Sequence, residues 1–364
     1  MLDKMKLGII GCGNISGAYF EGARKTDTLK IKACADINMD VANKQADRFG
    51  CHAVSVDQLL ADSEIELVVN LTIPKAHAEI GLKALKANKH TYSEKPFAVD
   101  IDSGRKLKET AARKKLRVGC APDTFLGAGI QTARKQLDAN VIGQPIAGSA
   151  FMCGHGHENW HSNPAFYYDI GGGPMMDMGP YYITALVNIL GPVKRVTAVT
   201  TKAFEERVAT SEKAYGLKIP VHTTTHLTGI LEFVNGTIIT MIMSFDMWSH
   251  GLPCIELYGT DGSIKVPDPN GFGGSVQIAK ARENWDEVPL EFPHNARIIG
   301  LIDMVRAIRN DRPHRVNGDL AYHVLEVMLA FDKSSQTAQH IKIDSTVERP
   351  NPLPVGLNEW EVGD

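Results

Sequence analysis

The chain has 364 residues, 43% of them hydrophobic and 22% charged, with 39 basic against 42 acidic side chains for a net charge of −3. That length exceeds what one small core needs and suits two domains. The mixed charge argues against a nucleic-acid partner, and no apolar run approaches the roughly 18 residues of a membrane span, so no membrane partner is expected either.

Residues 5–120 alternate between two patterns. Short apolar runs ("MKLGIIG", "LKIKACAD", "LVVNLT", "KHTYSEK", "KLRVGCA") are separated by amphipathic segments such as "VANKQADRFG", "KAHAEIGLKALKANK" and "DSGRKLKETAARKK". Buried strands alternating with helices are the sequence form of a doubly wound parallel sheet, an α/β fold. The first strand runs into Gly11-Cys12-Gly13-Asn14-Ile15-Ser16 and then into the helical "SGAYFEGARK". Glycines at that turn let backbone approach a pyrophosphate, and the helix start supplies N–H groups and dipole. Gly11, Gly13, Asn14 and Ile15 are therefore expected to line a dinucleotide.

The second strand ends at Asp36, 25 residues beyond Gly11. A carboxylate there suits the ribose hydroxyls of NAD and repels a 2′-phosphate, and Ile37, Asn38 and Met39 offer no arginine to hold one. NAD is favoured over NADP. Asp36 could equally serve as a helix N-cap. Further along, "NLTIPKAH" places Thr72, Pro74 and His77 just after a buried strand, and "HTYSEKP" places Glu94 and Lys95 after the next, and all five are expected to line the cofactor. The residue before a proline is pushed to an extended conformation, so Lys95 lies outside any helix, at the carboxyl edge where ligands of such sheets bind.

Beyond Ala121 the pattern changes. One helical segment, "QTARKQLDANVIG", precedes long strand-like runs: "QPIAGSAFMCG", "KRVTAVTTKAF", "THLTGILEFV", "TIITMIMSFD" and "CIELYGT". Asn235-Gly236 and Asp261-Gly262 read as hairpin turns. The expected layout is a domain over 1–121, then an α+β domain over 122–340 with a large, open, mainly antiparallel sheet. Closing helices fall at about 296–340, and 341–364 reads as a proline-rich, extended C-terminal tail. The six cysteines form no C-x-x-C pair and read as free thiols of a reducing cytosol. "MLDKMKLGIIGCGN" turns glycine-rich too soon for a signal peptide, so a cytoplasmic protein is expected.

One loop is dense in chemistry. "GHGHENWHSNPAFYYDIGGGP" holds His157-Glu158-Asn159-Trp160-His161, which matches the zinc-protease pattern H-E-x-x-H. That motif works on a helix, and here Gly154 and Gly156 precede it and Asn163-Pro164 follow. No cysteine or acidic cluster completes a site, so no metal is expected. Trp160 and His161 are better read as groups that grip hydroxyls and a ring face, together with Asp123 from "CAPDTFLG".

These motifs resemble the glucose–fructose oxidoreductase / inositol dehydrogenase / MocA (Gfo/Idh/MocA) family over nearly the whole chain: "GIIGCGNIS", "NLTIPKAH", "EKP" and "GGGPMMDMGPYY". The resemblance implies a Rossmann domain plus an α/β domain with an open antiparallel sheet, and NAD(P)-dependent oxidation of a sugar, cyclitol or sugar derivative. In the family the nicotinamide lies over the lysine of E-K-P, here Lys95. The second-domain motif usually reads G-G-G-x-x-x-D-x-G-x-H, and its aspartate and histidine join the lysine in catalysis. Here Gly171, Gly172, Gly173, Asp177 and Gly179 match, but Tyr181 stands where the histidine is usual, after Pro180. Lys95, Asp177 and Tyr181 are thus the expected catalytic residues, with Asp177 and Tyr181 also touching substrate. An Asp177 N-cap and a Tyr181 in the core are the structural alternatives. The resemblance also implies a homodimer or homotetramer. Two other functions stay open: a redox-assisted glycosidase acting through a transient 3-keto sugar, and a non-catalytic sugar or dinucleotide sensor.

Overall fold

A computed structural model of the chain describes residues 4–280 and 284–363. Chain order in the first half is β1 (Met5–Ile10), α1 (Ser16–Arg24), β2 (Leu29–Ala35), α2 (Met39–Phe49), β3 (His52–Ala53), α3 (Val56–Ala61), β4 (Leu67–Asn70), α4 (His77–Lys86), β5 (His90–Ser93), α5 (Ile101–Lys114) and β6 (Val118–Cys120). The six strands form one sheet in the order β3-β2-β1-β4-β5-β6. Every pairing in it is parallel. This is the doubly wound order, and it reverses between β1 and β4, which opens a crevice at their carboxyl ends. All four residues of β4 are buried, as a strand covered by helices on both faces requires. Helix starts follow local chemistry: the Asn38 side chain accepts from Asp40 N, and Ser55 with Gln58 forms a capping box at α3.

The second half contains α6 (Ala128–Asp138), β7 (Pro145–Cys153), α7 (Gly173–Leu190), β8 (Val193–Thr201), β9 (Glu206–Val208), β10 (Lys218–Pro220), β11 (His226–Phe233), β12 (Ile238–Ser244), β13 (Ile255–Gly259), β14 (Ser263–Val266), β15 (Val276–Ala279) and β16 (Asp286–Val288). After these come α8 (Ile299–Arg309), α9 (Gly318–Thr337) and β17 (Ile341–Lys342). Nine strands form a sheet in the order β16-β15-β14-β13-β7-β12-β11-β8-β17. It is antiparallel throughout except where β12 runs parallel to β7. Gly236, at φ 91°, turns β11 into β12, the hairpin expected at Asn235-Gly236. β9 and β10 form a separate two-stranded arm.

Strand alternation divides the "TIITMIMSF" run. Ile239, Met241 and Met243 are buried, while Ile238 and Thr240 point the other way. α7 is the central helix of this unit, and only Asp177 and Met178 of its residues escape full burial. A helix apolar nearly all round is a core helix.

The chain divides into two compact units: residues 1–127, 292–325 and 350–364, and residues 128–291 and 326–349. The sequence layout placed the closing helices with the second domain and left the end as a tail. The structure differs at both points. α8 belongs to the first unit, where Ile298 packs so closely on α1 that a Cβ on Gly22 would meet its Cγ1 at 2.7 Å. The last residues are irregular but fastened there. Arg315 donates to the carbonyls of Asn351, Pro352 and Val362, and Leu353 and Val362 are buried. An amphipathic helix carries no mark in its sequence of which sheet it covers, and the arginine that fastens the tail lies some 40 residues before it.

Candidate active site

The first cluster sits on the carboxyl edge of the parallel sheet. After β1 the backbone enters Gly11 at φ 98°, where a Cβ would lie 2.6 Å from the carbonyl of Leu71. No other residue fits that turn. Gly13 and Asn14 are exposed, and Ser16, in the third motif position, is buried with its hydroxyl donating to Gly13 O at 2.7 Å. Asp36 follows β2. Its Oδ2 accepts from Cys12 N at 2.8 Å and its Oδ1 from Asn38 N at 2.9 Å. The carboxylate therefore ties the glycine turn to the end of β2, while the cap of α2 is Asn38. Two hydrogen bonds do not exhaust a carboxylate, which accepts about four.

Thr72 and Pro74 follow β4, and Glu94 and Lys95 follow β5. The Thr72 hydroxyl donates to Asn70 Oδ1 at 2.7 Å, and Asn70 Nδ2 donates to His77 O at 2.9 Å. The His77 ring lies between Pro96 O, 2.7 Å from Nδ1, and Thr72 O, 3.0 Å from Nε2. Burial holds its pKa below the usual histidine value despite those two carbonyls. His77 was expected to touch a cofactor. It is instead buried, and it fastens the T-I-P turn to the E-K-P turn from behind.

Glu94 acts in the same way. Its Oε1 accepts from the Tyr19 hydroxyl at 2.8 Å and Arg297 Nη1 at 3.1 Å, and its Oε2 from Lys95 N at 3.1 Å. The next residue, Lys95, is half-buried at the strand edge, and its bond to Pro96 is cis. Asp123, expected at the substrate, is fully buried, and its Oδ2 accepts from Gly300 N at 3.0 Å, in the first turn of α8. Burial raises its carboxyl to about 6. Asp123 anchors a helix start; nothing about its burial suits it to touch a sugar.

The second cluster is built on α7. Gly172 and Gly173 open the helix where a Cβ would meet Phe166 O at 2.5 Å and Thr224 O at 2.7 Å respectively, which explains the glycine run. α7 continues through Pro180 to Leu190, so Asp177 is an interior residue and not an N-cap. Tyr181, one turn on, is buried at 5% exposure. His157 Nε2 lies 3.3 Å from Asp177 Oδ2. Around that pair stand Tyr167, Trp160 and His161. The His157 and Tyr167 ring centroids are 4.0 Å apart, and His161 stands edge-on to Trp160 at 5.2 Å and to Tyr167 at 5.3 Å. Trp160 is 63% exposed. His161 Nδ1 accepts from Asn163 N at 3.0 Å. The neutral ring therefore carries its proton on Nε2, a tautomer assigned from the partner. Partial burial lowers its pKa further and keeps it neutral.

The H-E-x-x-H stretch forms a single turn, with Trp160 N and His161 N both bonded to His157 O. Glu158 is directed away from its histidines into a buried network. Arg207 Nη1 donates to Glu158 Oε1 at 2.8 Å, Tyr168 donates its hydroxyl to Oε2, and Arg207 Nη2 pairs with Asp246. The Thr225 hydroxyl donates to the other Asp246 oxygen at 2.6 Å. Among the described residues no group of three or more His, Cys, Asp or Glu side chains could hold a metal ion. Arg207 and Tyr168 went unnoticed in the sequence, and the Glu158–Arg207 spacing of 49 residues left no local signal.

Residues 5–121 match the model of the oxidoreductase family with an NAD-binding Rossmann fold, and residues 130–265 match the Gfo/Idh/MocA C-terminal domain. The chain belongs to the Gfo/Idh/MocA oxidoreductase family. It is similar to inositol 2-dehydrogenase/D-chiro-inositol 3-dehydrogenase of Lactiplantibacillus plantarum, 34% identical over 39% of this chain and 42% of that one. It is also similar to myo-inositol 2-dehydrogenase of Thermotoga maritima, 19% identical over 94% of this chain and 100% of that one. In the first curated relatives it matches, the chain spans about two fifths of their length. Among solved structures, levoglucosan dehydrogenase in complex with NADH shares the fold at TM-score 0.80 and 20% identity, over 94% of this chain and 100% of that one. No helix among the described residues is long and apolar enough to cross a membrane.

Proposed function

We propose that the protein is an NAD-dependent dehydrogenase that oxidises a secondary alcohol of a sugar, a cyclitol or a sugar derivative. One observation carries the reading: Lys95 stands at the carboxyl edge of the same sheet whose β1 turn is shaped for a dinucleotide. The residues fit that cofactor. Gly11 holds a turn closed to any side chain, and Asp36 presents a carboxylate that suits ribose hydroxyls and opposes a 2′-phosphate. NAD, when bound, supplies the hydride acceptor.

Lys95 takes the proton of the reacting hydroxyl as its carbon gives up hydride, and returns that proton to the ketone in the reverse direction. A cationic cofactor nearby lowers the pKa of the ammonium and favours the neutral, accepting form. Asp177 accepts a hydrogen bond from a neighbouring hydroxyl, and Tyr181 shares the proton. His161 donates Nε2–H to a substrate oxygen, and Trp160 offers a face to the C–H side of the ring. Relatives named for inositol and levoglucosan support this substrate class.

The test is a panel of cyclitols and sugars with NAD, followed by NADH absorbance, and then Lys95→Met with the best substrate. Loss of a general base predicts a fall in kcat of about 100- to 10,000-fold. A near-normal kcat in Lys95→Met would remove the assignment. Release of sugar without net NADH would point instead to the glycosidase.

A further inference from the structure

We propose that His157 is a positioning residue for Asp177: its Nε2–H holds the carboxylate and so supplies, from another loop, the histidine that the second-domain motif lacks at position 181. The inference rests on the dehydrogenase reading above. Asp177 is the one acidic residue of α7, on the short stretch of that helix that is not fully buried. His157 Nε2 lies 3.3 Å from its Oδ2, with only 17% and 15% of the two side chains exposed. A donor to a carboxylate shielded from water is stronger than the same pair in solvent.

The ring is fixed on its other sides. Tyr167 lies 4.0 Å from its centroid, Phe245 4.7 Å edge-on and Trp160 5.4 Å. Its backbone N bonds to the Tyr168 hydroxyl, 3.3 Å away, and Tyr168 in turn donates to Glu158, which Arg207 holds. His157 Nδ1 is buried with no hydrogen-bond partner. Nε2 is thus the ring nitrogen that faces an acceptor, and the packed imidazole is placed as a donor to Asp177. The ionisable groups facing it are Asp177, His161 and Tyr167, with Tyr168, Glu158, Arg207 and Asp246 behind. The carboxylate that His157 orients is the group proposed to accept from a substrate hydroxyl.

The experiment uses the full chain and the substrate found in the panel, with four variants. His157→Phe keeps the aromatic packing and removes the donor. His157→Gln places an amide N–H near the position of Nε2. Asp177→Asn and the double variant Asp177→Asn/His157→Phe complete a cycle. His157→Phe is expected to lower kcat/KM by about 10- to 100-fold. Gln should restore most of it, and the double variant should be no worse than Asp177→Asn alone. A structural role would lower the melting temperature of His157→Phe and would show neither rescue nor non-additivity.

Normal kcat/KM in His157→Phe beside a crippled Asp177→Asn would overturn the inference and leave the dehydrogenase reading standing. Full activity in Asp177→Asn would overturn the role of Asp177 itself. Should His157→Phe fail to fold, imidazole 15N chemical shifts of the native chain and of Asp177→Asn decide the matter without substrate or cofactor. An Nε2-protonated ring that shifts in Asp177→Asn is expected, and an unchanged His157 ring would overturn the inference.

Discussion

At the scale of single residues, two buried or half-buried carboxylates separate a cofactor role from a structural one. Asp36 binds two backbone N–H groups and retains acceptor capacity, so it is held in place without being used up. Asp36→Ala should raise the KM for NAD by roughly 10-fold or more, the worth of about one charge-assisted hydrogen bond. It should raise that for NADP less, which cofactor titrations with a fixed substrate will show. Asp123 behaves differently. Oδ1 and the Tyr92 hydroxyl are both buried without a partner, and burial raises the carboxyl from 3.8 to about 6. A folded-state pKa above the unfolded value gives stability that is fully present below about pH 4 and is lost as pH rises through 6. Asp123→Asn keeps an oxygen for Gly300 N and removes the ionisation. Its melting temperature relative to wild type should therefore rise between pH 4 and pH 8, by an amount corresponding to up to about 3 kcal/mol. A difference independent of pH would mean that the native carboxyl is not raised. The sequence showed that an acid follows β6, but only packing reveals that its partner is the start of α8.

At the scale of elements, legibility follows how local the cause is. The parallel sheet could be read because each buried strand is a continuous apolar run and each glycine or proline turn sits beside the strand it ends. The residues at its edge, from Gly11 to Lys95, were placed by that same logic. His77 and Glu94 lie at the expected edge, but the partners that orient their side chains, such as Pro96 and Arg297, are distant in sequence and left no local signal. The glycines and proline around the histidine-rich stretch mark it as a loop. What fixes it was invisible: the β9–β10 arm carries Arg207 into contact with Glu158 and Asp246, with side-chain exposures of 5%, 8% and 9%. Removing the arginine would leave two carboxylates buried beside each other. Arg207→Met should cost about 3–5 kcal/mol in urea unfolding. It should also raise amide exchange across 154–168 before it does so in α7. Unchanged stability and protection would show that water reaches the pair and that the loop is held otherwise.

At the scale of the whole molecule, the nine-stranded sheet poses a question that its register answers. Directly paired residues share a face, so the pairings Thr228 with Val199, Ile230 with Thr197 and Thr240, and Ile238 with Glu232 assign one set of side chains to a single side. The opposite side, with Leu227, Leu231, Ile239, Met241 and Met243, is core. The first side leaves Val199 at 72%, Ile230 at 47% and Ile238 at 48% exposure, among threonines and the Arg195–Glu232 pair. Aliphatic side chains at neighbouring positions of a flat sheet face form an apolar surface of the kind that marks association sites. A sheet face that pairs with its own copy about a two-fold axis forms a closed dimer, and two such contacts form a tetramer. We therefore expect a homo-oligomer that buries this face. Ile230→Lys with Val199→Lys places two charges at its centre, where each would lose its water on association. Light scattering should show the wild type as a dimer or tetramer at micromolar concentration and the double variant as a monomer. The monomer should keep its melting cooperativity, because neither side chain belongs to the core. A wild type that is already monomeric, or a variant that remains assembled, would mean that the exposed aliphatic face serves something other than a second copy of this chain.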